Sequence, residues 1–513
     1  MAKRLIVLLL ALCMMSSIFL ASCSKKNPSG TTTKTTEASS KDPDVTQTPE
    51  EELNRPADMD FDGYKFQILA NTNNFGGDYP QWVWDSDSDP KTILEQAVAS
   101  RENVLFNRYG IDTVLVPTSS AAMALMNAAN SNLYICDVAA IPGKTAATLV
   151  QMDCYYNLNA ISELNLSASY YDQRIQEDFD IGGKLYMLEG DFTYRDDFTT
   201  MMFAYNKTVY DTYLFSDKYG TPYEMVRDGN WTYANMLSMA TEATQDLNSD
   251  GTYDVNDQFG LITVTSFPYN MMMAAGLKTV DAKGGTVSLT MSNATYQDRV
   301  LNCVSTIMDN IKGINGMRVI LPHDMQDWGA ASDARASEAA RLFIENRNLF
   351  RETTLSAVRN FVSADVKYGV LPMPTYYEGQ TEYYNVVAVE DLESLTIVKC
   401  GQTDVSKIGA IVERFAYHSR YTDATYNMHD AFYSYLTELK LCQTAADREM
   451  MRLILESKVY DCDTLWSVTG FLDAVRTLQW NNQTDQLIST LKTRIEESKT
   501  NLDKINKAIG SLS

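Results

Sequence analysis

Tyr134-Ile135-Cys136-Asp137-Val138-Ala139-Ala140-Ile141 is an apolar run broken only by Asp137 and closed by Pro142-Gly143. A run of this kind marks a strand covered on both faces, as in the middle of a parallel sheet. Working upstream, Thr113-Val114-Leu115-Val116 reads as another strand and Ile93 to Tyr109 as a helix. Before them, Tyr64-Lys65-Phe66-Gln67-Ile68-Leu69-Ala70 alternates and delivers the polar loop Asn71-Thr72-Asn73-Asn74. Strands alternating with helices predict an α/β body. Downstream, Leu487, Leu491, Ile495, Leu502, Ile505 and Ile509 recur at helical spacing, so the chain closes on amphipathic helices that pack. From Met59 onward roughly 450 residues remain, too many for one core and suited to two or three domains.

The N-terminus says where this body resides. Lys3 and Arg4 precede an apolar stretch from Leu5 to Leu20, too short to span a bilayer comfortably, and Leu20-Ala21-Ser22-Cys23 follows with the shape of a bacterial lipobox. Residues 1–22 are then a lipoprotein signal peptide, and Cys23 is the first mature residue, carrying a palmitate-bearing lipid. An uncleaved anchor and an ordinary signal peptide are the alternatives, and both still place the body outside the cytoplasm. Residues 23–58 hold Ser, Thr, Lys, Glu, Asp and Pro with almost no large apolar side chain, so they cannot offset the entropy of ordering and read as a flexible linker.

With 66 acidic against 43 basic residues the charge is −23, and losing Lys3 and Arg4 takes it to −25. That excess argues against nucleic acid and anionic membrane surfaces as partners, leaving the lipid as the expected membrane contact. Eight cysteines are present: Cys13 in the signal, Cys23 at the lipid site, and Cys136, Cys154, Cys303, Cys400, Cys442 and Cys462 scattered without a CxxC. They form neither a disulfide framework nor a zinc site, and buried free thiols are the default expectation.

Asp246-Leu-Asn248-Ser-Asp250-Gly251-Thr252-Tyr-Asp254-Val-Asn-Asp257 is the sharpest chemical motif. Oxygens fall at loop positions 1, 3, 5, 9 and 12, with a turn glycine at 6 and the Thr252 carbonyl at 7, the spacing of a calcium loop. Asp257 replaces the usual glutamate, which shortens the bidentate contact. The expected cofactor is a structural calcium; the competing reading is an acidic turn held by Asx hydrogen bonds. A helix started by Trp231-Thr232 precedes the loop and the strand Phe259 to Val264 follows, so this is not a paired EF-hand.

Gly182-Gly183-Lys184-Leu185-Tyr186, Ala204-Tyr205-Asn206-Lys207, Gly229-Asn230-Trp231-Thr232, the calcium-like loop and Gln258-Phe259-Gly260-Leu261 follow the lipobox in order. Ala339-Ala340-Arg341-Leu342-Phe343, Leu349-Phe350 and Tyr368-Gly369-Val370-Leu371-Pro372-Met373-Pro374 continue the series. Together they resemble an extracellular solute-binding lipoprotein of a carbohydrate ABC importer, of the maltose-binding-protein-like solute-binding family 1. The resemblance implies a type II periplasmic-binding-protein-like fold: two α/β lobes, joined by crossing hinge segments, with the ligand in the cleft between them. It implies lobe 1 over 59–190 and 386–462, the latter part helical. Lobe 2 then covers 191–385 with the calcium-like loop, and the C-terminal helices of 463–513 belong mainly to it. Crossings are expected near Leu188 to Thr193, Tyr384 to Ala388 and Asp461 to Trp466. The segment Val405 to Asp461 is longer than in simpler members.

Sugar recognition needs aromatic faces and planar polar groups. Asn71, Asn73, Trp82 and Trp84 offer both after the first strand, Asp191 and Arg195 lie at the first crossing, Arg359 follows the Thr353-Thr354-Leu355-Ser356 turn, and Trp466 stands where relatives place a stacking aromatic. For Trp82, Trp84 and Trp466 core packing is the rival reading, and for Asp191 and Arg195 a surface ion pair. The implied function is capture of a sugar or oligosaccharide by a monomer that delivers it to separate permease subunits, with no catalytic residue. The alternative is a secreted glycoside hydrolase using a carboxylate pair; no GxSxG, HExxH or P-loop occurs, and the three histidines, His323, His418 and His429, stand at unrelated spacings.

Overall fold

The computed structural model describes residues 49–71, 82–83, 89–282, 286–322, 335–390, 392–401, 404–422, 426–438, 441–481 and 483–512. Everything below concerns Glu50–Ser513, which form one unit. Its strands, in chain order, are β1 (Tyr64–Asn71), β2 (Ile111–Thr118), β3 (Val138–Pro142), β4 (Met201–Asn206), β5 (Phe259–Thr263), β6 (Val280–Asp281), β7 (Ser288–Leu289), β8 (Ile320–Pro322), β9 (Asn348–Thr354), β10 (Tyr368–Leu371), β11 (Asn385–Val386), β12 (Glu393–Ile397) and β13 (Lys458–Val459). Among the described residues no helix is long and apolar enough to cross a membrane.

Two sheets carry the unit. The first has the order β12-β3-β1-β2, with β1 parallel to β2 and β3, and β12 antiparallel to β3. β3 is central, which explains its apolar sequence: Val138, Ala139, Ala140 and Ile141 are fully buried. The strand begins later than its apolar run suggests. Asp137, just before it, has a buried carboxylate that accepts hydrogen bonds from Tyr64 Oη at 2.8 Å, Gln67 N at 2.8 Å and Tyr134 Oη at 3.0 Å, while its backbone still pairs with Gln67 O and Val398 N. The Ile93–Tyr109 helix matches its sequence signal. Thr92 and Glu95 form a reciprocal capping box, and Gly110 ends the helix at φ 61°.

The second sheet has the order β10-β4-β9-β5-β8, with β5 parallel to β8 and β9 while β4 runs antiparallel to β9 and β10. The Tyr233–Ala243 helix packs so closely on β5 that a Cβ on Gly260 would lie 1.8 Å from the Ala240 carbonyl oxygen. This is the physical reason for the glycine in Gln258-Phe259-Gly260-Leu261.

The chain leaves the first sheet after Leu188, which bridges Leu395, and enters the second at Thr200, which bridges Val387. It returns between β11 and β12, and β13 lies parallel to β11. At this junction the Lys458 ammonium is buried among carboxylates, 2.9 Å from Asp197 and 3.2 Å from Asp172, and it also binds Asp196. Tyr460 Oη donates to Asp172 at 2.9 Å and to Asp196 at 3.0 Å. Segments far apart in sequence are thus tied by one cation.

The long stretch Val405 to Asp461 divides between the lobes. The Val405–Arg420 and Met428–Glu438 helices lie on the Ile93–Tyr109 helix of the first lobe. The Ala445–Glu456 helix falls within 386–462, expected in the first lobe, yet it packs on β10 of the second sheet. There its buried Asp447 accepts from Val370 N at 3.2 Å and from Tyr223 Oη at 2.5 Å.

Candidate ligand cleft

Ligands of α/β proteins bind beyond the carboxyl ends of parallel strands, where side chains from several loops converge. Here a cavity of about 390 Å³ opens where β5 and β9 end and the chain recrosses through Val386–Glu390. Its size falls within the ~300–1,000 Å³ of small-molecule sites. Gly143, which follows β3 of the first lobe, lies so near the same crossing that an added Cβ would be 2.9 Å from the Val389 carbonyl oxygen.

Polar groups line the cavity in fixed pairs. The Glu352 carboxylate accepts from Asn270 Nδ2 at 2.8 Å and from Val264 N at 3.0 Å. Asp461 accepts from Tyr269 Oη at 2.6 Å and also from Thr464 Oγ1. Burial pushes the Asp461 carboxyl above its usual range, against those hydrogen bonds. Arg476 binds Glu390 at 2.6 Å. The Arg351 guanidinium sits 5.6 Å from the centroid of Phe361, and burial lowers its pKa to about 10. Hydroxyls of Thr265, Ser266, Thr353 and Thr354 and the apolar Met201, Val387 and Leu472 complete the lining. Such a wall offers planar amide, carboxylate and guanidinium groups for hydroxyls, with Tyr269 as its aromatic.

The residues expected to form the site are dispersed. Asn71 ends β1, while Asn73 and Trp84 lie outside the described residues. Trp82 is a core side chain, 6% exposed, packed 6.1 Å from Phe192 and donating through Nε1 to Glu393 Oε2 at 3.3 Å. Arg195 reaches the other oxygen of Glu393 at 3.4 Å, so Trp82 and Arg195 converge on one buried carboxylate instead of on a ligand. Asp191 does not pair with Arg195; it binds Arg420 at 2.7 Å and His429 at 3.0 Å in a separate pocket of about 160 Å³. Thr353 and Thr354 do line the large cavity, but Arg359 turns back to the Ser356 carbonyl at 2.9 Å and lies 5.7 Å from the Phe198 ring centroid. Trp466 is 3% exposed and does not line the cavity, whereas Asp461 and Thr464 just before it do. Tyr269, Asn270, Arg351, Glu352 and Arg476 were missed. One signal was available: Arg351-Glu352-Thr353-Thr354 places four polar residues in a row at the end of a strand whose other positions are buried.

The acidic loop is wrapped by its own side chains. Asp246 accepts from Ser249 N at 2.7 Å and Gly251 N at 2.9 Å, Asn248 from Asp250 N at 3.0 Å, and Asp250 from Thr252 N at 2.7 Å. Asp257 is buried and accepts from Leu247 N and Asp254 N, both at 2.9 Å. Asp254 accepts from Asn256 N at 2.8 Å. The remaining lone pairs of Asp246, Asn248 and Asp250 and the Thr252 carbonyl are chemically suited to a hard cation. Among the described residues, however, no three Asp, Glu, His or Cys side chains converge as a metal cage.

No protein-family model matches this chain, and no curated protein does. Solved structures do match. A cyclo/maltodextrin-binding protein complexed with maltotetraose is similar at 12% identity and a TM-score of 0.53, covering 88% of this chain and 98% of its own. The ABC substrate-binding protein Lmo0181 from Listeria monocytogenes, in complex with cycloalternan, is similar at 14% identity and a TM-score of 0.50, covering 87% of this chain and 99% of its own. The fold is that of a two-lobed substrate-binding protein. Within that fold the two sheets are the lobes, and the passages Leu188–Thr200 and Val386–Glu393 join them.

Proposed function

We propose that this chain captures a sugar or short oligosaccharide in the 390 Å³ cavity and delivers it to the permease subunits of an ABC importer. The observation that carries this reading is a cavity lined by hydroxyl, amide, carboxylate and guanidinium groups at the carboxyl ends of β5 and β9, in a fold shared with proteins solved with maltotetraose and cycloalternan. Binding acts by lobe closure: the ligand stabilises the closed form by its higher affinity for that state, while hinge residues absorb the motion. Asn270, Glu352 and Arg351 would fix hydroxyl positions, and Tyr269 would meet an apolar ring face.

No bond is made or broken in this reading. Of the cavity carboxylates, Glu352 accepts from Asn270 and Val264 N, Asp461 from Tyr269, and Glu390 is bound by Arg476. The reading includes attachment through lipidated Cys23 at the outer face of the cell membrane, action as a monomer, and a structural calcium in the loop of Asp246, Asn248, Asp250, Thr252, Asp254 and Asp257.

The test is calorimetric titration and thermal shift with maltotetraose, cycloalternan and a panel of mono- and oligosaccharides, with product analysis. Saturable binding with the sugar recovered intact, weakened about tenfold or more by Asn270→Ala when measured below the variant's melting transition, is expected. A cleaved sugar makes the protein a hydrolase, and silence across the panel removes sugars as the ligand class.

A further inference from the structure

The ligand cavity and a set of charged ties lie on opposite faces of the last crossing. β13 continues through Tyr460 to Asp461, which is still extended at φ −100° and ψ 98°. Successive side chains of an extended segment point to opposite faces, and the contacts follow that alternation. Asp461 accepts from Tyr269 at the wall of the large cavity, whereas Lys458 and Tyr460 both bind Asp172 and Asp196 on the other side. On that side lies the pocket of about 160 Å³, which shares no lining residue with the ligand cavity.

There one short helix, Gln173–Phe179, reaches across the junction. It belongs to the first lobe. Gln173 Nε2 donates to the Ala168 carbonyl at 3.1 Å, and Tyr171 just before it donates to Glu413 of the Val405–Arg420 helix at 2.8 Å. Its other polar partners are in the second lobe. Arg174 donates to the Leu455 carbonyl at 3.3 Å and also to that of Glu456, at the end of the Ala445–Glu456 helix that packs on β10. Asp178 binds Lys278 at 2.5 Å, just past the Phe267–Ala274 helix that follows β5. Asp178 also accepts from Tyr460 N at 3.4 Å, and Phe179 packs 5.8 Å from the Tyr460 ring centroid.

We propose, on the reading that ligand is bound by lobe closure, that the Gln173–Phe179 helix is a clasp that favours the open lobes and so sets the affinity for ligand. Rotation about the crossings that narrows the cavity on one face of the last crossing must widen the gap on the other. The Arg174 and Asp178 ties span that gap, so closure parts them. A contact made only in the open form lowers the fraction of molecules in the closed form, and the apparent dissociation constant rises as the inverse of that fraction. The Asp178 and Lys278 side chains are 13% and 28% exposed, so water takes over their hydrogen bonds once they separate, and the clasp biases the equilibrium without locking it. Arg174, Asp178 and Lys278 do not line the ligand cavity, so their effect on affinity runs through the lobes alone.

The experiment compares the full chain in detergent with the double variant Asp178→Ala, Lys278→Ala, which removes one tie without leaving a lone charge. Lobe separation is read without ligand by double electron–electron resonance between spin labels on Ser119→Cys, after β2, and Ser292→Cys, before the Ala294–Lys312 helix; both positions are exposed, and the six native cysteines of the folded unit are buried. Affinity for maltotetraose is read by calorimetry. A shorter distance population without ligand and binding tightened about two- to fivefold are expected. Arg174→Ala should shift both readouts the same way, and the exchanged pair Asp178→Lys, Lys278→Asp should return both toward wild type. An unchanged or longer ligand-free distance in both tie-cutting variants overturns the clasp whether or not maltotetraose binds, as does weaker binding by both at wild-type melting temperature. A shortened distance with no maltotetraose binding supports the clasp and counts against the sugar instead.

Discussion

Replacing Lys458 by Met removes the cation that Asp172, Asp196 and Asp197 share at the lobe junction, where the Lys458 side chain is only 7% exposed. The methionine matches the lysine stem in size, so the loss is electrostatic. Breaking a buried charge cluster by deleting one partner costs about 3–5 kcal/mol, because the remaining charges stay desolvated and uncompensated. The cost must depend on pH. Burial, with the neighbouring Asp196 charge, pushes Asp197 from its ordinary 3.8 to about 7 in the wild type. The folded state therefore binds more protons than the unfolded one between those values, and this group's contribution falls as pH rises through that window. Asp172 works in the opposite sense: although burial opposes it, Lys458 holds it below its ordinary value, so its contribution is present above that value and lost in acid. Without Lys458, Asp172 and Asp197 lose the charge that holds their pKa values down, and acid then stabilises the variant more than the wild type. Urea unfolding at 25 °C should show Lys458→Met destabilised by about 3–5 kcal/mol near pH 7, with the gap narrowing by about 1–3 kcal/mol near pH 5. A gap below about 1 kcal/mol near pH 7, or one unchanged in acid, refutes the reasoning.

Three further outcomes are expected. Gly260→Ala puts a Cβ 1.8 Å from the Ala240 carbonyl oxygen and 2.3 Å from its Cα, which only a shift of helix against strand relieves; a loss of about 4 kcal/mol or more, read by thermal melting and soluble yield, follows. Chelator should lower the melting temperature of the wild type by several degrees but leave Asp250→Ala unmoved; identical melting of the wild type with and without chelator removes calcium from the loop. Cys23→Ser should move the protein from the membrane to the soluble fraction of a cell lysate, and continued retention contradicts the lipobox reading.

The class of fold was legible because its signals are local. The apolar β3 run, the alternation of β1 and the helical spacing of Leu487, Leu491 and Ile495 each act within a few residues, and each reports burial that its own side chains dictate. The order of short motifs was enough to suggest two lobes, and the structure bears that fold out. The site was not legible in the same way. Trp82, Trp84 and Trp466 were singled out because aromatics suit sugars, but an indole buries as readily in a core as on a ligand. Trp82 and Trp466 are core side chains.

What the sequence by itself determined is the strand and helix alternation and the acidic loop, since period, turn residues and charge are properties of neighbouring positions. Only the tertiary structure decided which distant groups meet. Asn270 with Glu352, Tyr269 with Asp461, Lys458 with Asp172 and Asp178 with Lys278 are each separated by 82 to 286 residues, from Asn270 to Glu352 at the near end and from Asp172 to Lys458 at the far end. A buried polar group takes its partner from whatever the packed sheets bring within about 3 Å, and spacing along the chain carries no record of that choice.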